Sequence, residues 1–163
     1  MISSLEKEIT VEIQETFEAD SKRISSNLKS MLQELGLKTF IESDVIKFHK
    51  IYKSTTDSGQ NKTEAMKILR SGKIKLSYDP DNKIVIAYNV NLDALKFMSV
   101  LLSILIGFFR WTIYDSNSLV SIFIGLITLF LTYSLGYIYS ENKMNNIIHR
   151  SVRKKNKTQP NKS

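Results

Sequence analysis

The chain has 163 residues, of which 42% are hydrophobic, and its 23 Lys and Arg outnumber 16 Asp and Glu to give a formal net charge of +7. It has no cysteine, which excludes disulfides, thiolate catalysis and zinc sites with Cys ligands. The charge is segregated: residues 1–94 carry 14 basic and 14 acidic side chains, whereas residues 141–163 carry seven basic residues and one acid, so the excess sits in a tail and not on a folded face that would grip nucleic acid.

The opening stretch Met1-Ile2-Ser3-Ser4-Leu5-Glu6-Lys7-Glu8 has neither the basic start nor the continuous apolar run of a secretory signal. Ile9, Val11 and Ile13 alternate with Thr10, Glu12 and Gln14, which predicts a strand over about Glu8 to Phe17. The period then changes. Ile24, Leu28, Met31, Leu32 and Leu35 share one helical face, with Asp20 or Ser21 as the expected N-cap and Gly36 as the stop. A competing reading joins Leu5, Ile9, Ile13 and Phe17 to the same face as one long helix; the β-branched Ile-Thr-Val cluster favours strand then helix.

Leu37 to Ile41 and Val45 to Tyr52 predict two short strands around Glu42-Ser43-Asp44. A polar loop over Lys53 to Lys62 and a short helix over Thr63 to Arg70 are expected next. Lys73 to Asp79 and Lys83 to Asn91 alternate apolar and polar residues on either side of Pro80-Asp81 and give the clearest hairpin signal.

Two apolar runs follow, Phe97 to Tyr114 and Leu119 to Tyr139, separated by Asp115-Ser116-Asn117-Ser118. At about 1.5 Å per residue each matches the roughly 30 Å of a bilayer's hydrocarbon core. The expected fold class is thus a small α+β domain of about five strands, one main helix and one short helix over residues 1–94, a transmembrane hairpin over 95–140, and a basic tail over 141–163. Lys143, Arg150, Arg153, Lys154, Lys155 and Lys157 after the second run place the tail on the cytoplasmic side, and two spans place the N-terminus there too, as in a bacterial inner membrane. The first span would then serve as its own insertion signal. Met144, Ile147, Ile148 and Val152 keep helical spacing, so the second span is expected to continue as an amphipathic helix along the inner surface. Lys96, Arg150, Arg153, Lys154 and Lys155 are the expected contacts to anionic inner-leaflet lipids.

Small residues mark one face of each run: Ser99, Ser103 and Gly107 in the first, and Ser121, Gly125, Thr128, Thr132, Gly136 and Ser140 in the second. Such rows let membrane helices approach closely. They serve to pack the hairpin on itself, to build a homo-oligomer or, as the least expected use, to line a polar pore. Arg110, beside Trp111 and Tyr114, fits an anchor that snorkels to the outer headgroups.

No catalytic, cofactor or metal residue can be named. The chain lacks a Gly-rich phosphate loop, a nucleophile elbow and a His-Glu-x-x-His motif, and its two histidines, His49 and His149, are far apart in sequence. Asp79-Pro80-Asp81-Asn82 fits a β-turn better than a calcium loop. The expected function is a non-enzymatic membrane protein whose cytoplasmic domain binds a protein partner or itself. The alternative is a membrane-perturbing effector that oligomerises through its small-residue faces once the domain senses a signal. An enzyme acting on lipid would need a polar cluster that the sequence does not reveal, and nucleic acid is the least expected partner.

Overall fold

A computed structural model describes residues 2–14, 16–50, 69–114 and 118–153. Its elements in chain order are β1 (Ser4–Glu12), α1 (Phe17–Glu34), β2 (Leu37–Glu42), β3 (Val45–Lys50), β4 (Ser71–Asp79), β5 (Lys83–Asn91), α2 (Asp93–Tyr114) and α3 (Ser118–Arg153). The strands form one antiparallel sheet in the order β1-β5-β4-β3-β2. The expected loop and short helix over Lys53 to Arg70 lie outside the described residues, apart from Leu69 and Arg70, which are not helical.

Local chemistry explains the boundaries. The helix after β1 starts earlier than the expected Asp20 or Ser21 because Thr16, in extended conformation, caps it by accepting from the Ala19 amide at 3.3 Å. Asp20 lies in the first turn instead. It is buried, paired with Arg23, and accepts the Gln14 amide at 2.7 Å. Gly36 ends the helix at φ +78°, the left-handed conformation a glycine tolerates without strain. Ser43 and Asn82 take the same region in the two tight turns of the sheet.

One face of the sheet makes the core. Leu5, Ile46, Phe48, Ile74, Leu76, Ile84, Ile86, Tyr88 and Val90 point to the side where α1 contributes Ile24, Leu28 and Leu32. Gly72 is required here by packing: a Cβ would fall 2.5 Å from both the Asn89 carbonyl oxygen and the Phe48 ring, so the bare backbone of β4 is what admits that ring. Among the described residues no helix lies on the opposite face of the sheet, and its outward residues, among them Glu6, Glu8, Lys38, Phe40, His49, Lys73 and Lys75, are exposed.

Helices α2 and α3 are long and apolar enough to cross a membrane. The first begins at Asp93, four residues before the expected span, because Asn91 accepts the Asp93 amide at 2.7 Å and opens the helix directly from the end of β5. The second has 36 residues, so it is about 54 Å long, much longer than a span. Its first part faces outward with large apolar side chains such as Leu119, Phe123, Phe130 and Leu135. Its last part does the reverse. Met144, Ile147 and Ile148 are fully or almost fully buried in the same core as α1 and the sheet, and Val152 packs against it. The expected amphipathic continuation is therefore present as a helix, but its apolar face covers the sheet domain and not a bilayer surface. Residues distant in sequence complete one fold: the domain begun by β1 to β5 is closed by the end of α3.

Candidate functional site

The most constructed region outside the core is the seam between α2 and α3 and its junction with the sheet. The helices run antiparallel, and small residues set their distance. Ser103 donates its hydroxyl to the Gly125 carbonyl oxygen at 2.7 Å. A Cβ on Gly125 would sit 3.3 Å from the Ser103 carbonyl oxygen, and one on Gly107 would sit 3.4 Å from that of Ser121. With no side chains between them the two backbones approach as small-residue packing allows. Ser99, Ser121, Gly125, Gly136 and Ser140 are buried, and Ser103 and Gly107 are half-buried. Thr128 and Thr132 are half-buried on the same helix. Their hydroxyls donate to the carbonyls one turn back, Ile124 at 2.9 Å and Thr128 at 2.7 Å, so they satisfy themselves without reaching α2. Toward the connection between the helices, an open apolar groove of about 530 Å³ lies beside the seam, bordered by Phe108, Trp111, Ile122 and Leu126.

At the other end the seam becomes a joint. Leu95 packs over Gly136, where any Cβ would collide with its side chain. Tyr133 donates its hydroxyl to the Ile2 carbonyl oxygen at 2.6 Å, Lys96 donates to the Ser3 hydroxyl at 2.8 Å, and the Leu92 amide donates to the Ser3 carbonyl oxygen at 2.9 Å. The start of β1 is thus tied to both helices. One turn further along α3, Glu141 pairs with Lys7 of β1, Asn145 accepts the Tyr88 hydroxyl at 2.8 Å, and Asn27 of α1 donates to the Ser151 carbonyl oxygen at 2.9 Å. Burial, with the negative Glu141 and the ionisable Tyr137 hydroxyl adding to it, pushes the Tyr88 hydroxyl up to about 12. These polar links fix the rotation of α3 against the sheet. Sequence spacing could not reveal them, because each pairs residues far apart in the chain.

The basic residues expected at a membrane surface separate in space. Lys96 lies at the joint. Arg150 and Arg153 are exposed on α3 about 15 and 20 Å along the axis beyond Ser140, away from the apolar part of the helix. Lys154 and Lys155 lie outside the described residues. His49 is exposed on β3 with its ring stacked on Phe40 at 5.3 Å, and His149 is exposed on α3. Among the described residues no group of three His, Asp or Glu side chains is placed to hold a metal ion. Compared with protein-family models, with curated proteins and with solved structures, the chain matches none.

Proposed function

We propose that this chain is a non-enzymatic integral membrane protein whose two-span hairpin holds a cytoplasmic α+β domain at the inner surface as an interaction module for a protein partner. The observation that carries the reading is the dual use of α3, apolar outward beside α2 and apolar inward beneath the sheet. A helix built this way joins anchor and domain without a linker. An anchor that had only to tether would not need Glu141, Asn145 and Ser151 bonded to the sheet and to α1. The exposed outward side chains on the face of the sheet opposite α1 are available to a partner. Close packing of Ser103, Gly107, Ser121 and Gly125 within one hairpin supports anchoring over the membrane-perturbing alternative, because the small faces meet each other.

The positive-inside rule supports an orientation with both termini in the cytoplasm: Lys96, Lys143, Arg150 and Arg153 all lie on the domain side of the apolar segments, with Arg110 the one basic residue toward the connection. Anionic inner-leaflet lipids would meet Lys96 and the lysines of the tail, Lys154 and Lys155.

Because the chain lacks cysteine, single Asn117→Cys and Asn146→Cys variants report orientation cleanly. A membrane-impermeant maleimide added to intact cells should label the first and not the second; the opposite pattern overturns the orientation. Partner binding is read by cross-linking in intact membranes followed by quantitative mass spectrometry. A protein that stays monomeric and recovers no partner in proportion to its own abundance counts against the module.

A further inference from the structure

We infer that the exposed outward face of the sheet over β2, β3 and β4 is a docking surface for an acidic segment of a partner protein; this rests on the interaction-module reading above and supplies the chemistry of the partner. Strand register brings together residues that are far apart in the chain. Lys47 of β3 stands directly opposite Lys73 of β4, Lys75 follows on the same face of β4, and Lys38 of β2 stands opposite His49. Four ammonium groups thus share a patch about 10 Å wide across three strands. Like charges directly opposite on neighbouring strands oppose folding, so the arrangement is one that an anion relieves. Glu42 pairs with Lys47. Among the described residues no carboxylate is within ion-pair distance of Lys38, Lys73 or Lys75.

The other side of the same face has the opposite sign. Glu6, Glu8 and Thr10 of β1 point outward, separated from the lysines of β4 by Asn89, Ala87 and Val85 of β5, and Glu12 at the end of β1 stands opposite Lys83. The face is therefore a basic patch bounded by an acidic edge. That boundary fits a short segment with a few carboxylates better than a continuous polyanion, whose backbone would run into the β1 glutamates. Phe40 supplies an apolar contact in the patch, being 42% exposed. Its ring already stacks on His49 and holds the Lys38 ammonium 5.0 Å from its centre. A single ring occupied in this way is a poor platform for the successive base stacking on which single-stranded nucleic acid depends. Lysine in place of arginine suits carboxylates held as point charges with no fixed fork.

The test uses the full chain in lipid nanodiscs of neutral lipid and a fluorescent twelve-residue oligoglutamate peptide containing two leucines. Saturable binding is expected, weakening about tenfold or more in a Lys73→Glu, Lys75→Glu double variant and weakening as salt rises. The double variant should instead bind the matching oligolysine peptide, and an unchanged melting transition shows that its fold is intact. A Lys73→Gln, Lys75→Gln variant gives the intermediate case. Equal binding by wild type and the charge-reversed chain, or none by either, overturns the inference. Tighter binding of a twelve-nucleotide RNA that is lost in the same variant also overturns it in favour of nucleic acid. A cross-linked protein partner that the double variant still recovers leaves the interaction-module reading standing and removes only this surface.

Discussion

The two halves of α3 follow opposite rules within one helix. Before Ser140, large side chains such as Phe130 and Leu135 point outward at 72% and 66% exposure while Gly125 and Gly136 are buried. After Ser140, Met144, Ile147 and Ile148 turn inward and Asn146, His149, Arg150 and Arg153 turn outward. Helical periodicity is the same in both, so periodicity does not choose the surroundings. The residue type on the inward face does. Small residues inside and large ones outside suit a surrounding as apolar as the side chains themselves, where packing replaces the hydrophobic effect as the force between helices. Large residues inside and charges outside suit water.

That contrast breaks most visibly with a matched pair of truncations. Ile148→Ala should destabilise the sheet domain by about 2–5 kcal/mol, whereas Leu135→Ala should change it by less than about 0.5 kcal/mol, both read by hydrogen exchange of β4 and β5 amides. Equal effects would mean that the two halves share one solvent. Gly125→Leu should cost about 1–3 kcal/mol by forcing α2 and α3 apart. Its effect should be confined to the hairpin, with protease sensitivity rising between the helices and sheet amides staying protected. Gly72→Ala carries a similar cost of about 1–3 kcal/mol from overpacking against Phe48 and the Asn89 carbonyl, and its effect belongs to the sheet alone. Asn27→Ala, which removes the donor to the Ser151 carbonyl oxygen, should cost about 1–2 kcal/mol and raise exchange in the last turns of α3 before anywhere else.

The smallest effect is a titration. The Tyr88 hydroxyl is pushed up to about 12, above the roughly 10 of a solvated tyrosine. Folding therefore favours its protonated form. That contribution is complete below about pH 10 and is lost as pH rises toward about 12. Ultraviolet titration of tyrosinate should show one late-ionising group that Tyr88→Phe removes, and an unchanged profile would place the Tyr88 hydroxyl in water.

Much of this architecture is legible in the sequence wherever a signal is local. Alternation locates β4 and β5 almost to the residue, Gly36 ends α1 where its backbone freedom is needed, and the small residues of both apolar runs are visible by their spacing. The start of α1 is less legible because Asp20 and Thr16 are both good capping residues; the buried pair with Arg23 holds Asp20 inside the first turn and leaves the cap to Thr16. The spacing of Met144, Ile147, Ile148 and Val152 declares an apolar face without saying what it covers. A membrane surface and the underside of a sheet ask for the same pattern. The basic patch is hidden for a different reason: Lys47 and Lys73 meet only through the register of β3 with β4, which no local pattern specifies.

The bond between Asn27 and the Ser151 carbonyl joins residues 124 positions apart, with the whole of α2 and nearly all of α3 between them in the chain. The domain therefore cannot close its core during synthesis until the end of α3 has been made. Under the proposed orientation, a hairpin that failed to return would leave residues 141–153 on the wrong side of the bilayer and the underside of the sheet bare. Correct insertion becomes a condition for a folded domain, so a misinserted chain would expose itself to proteolysis at the cytoplasmic end.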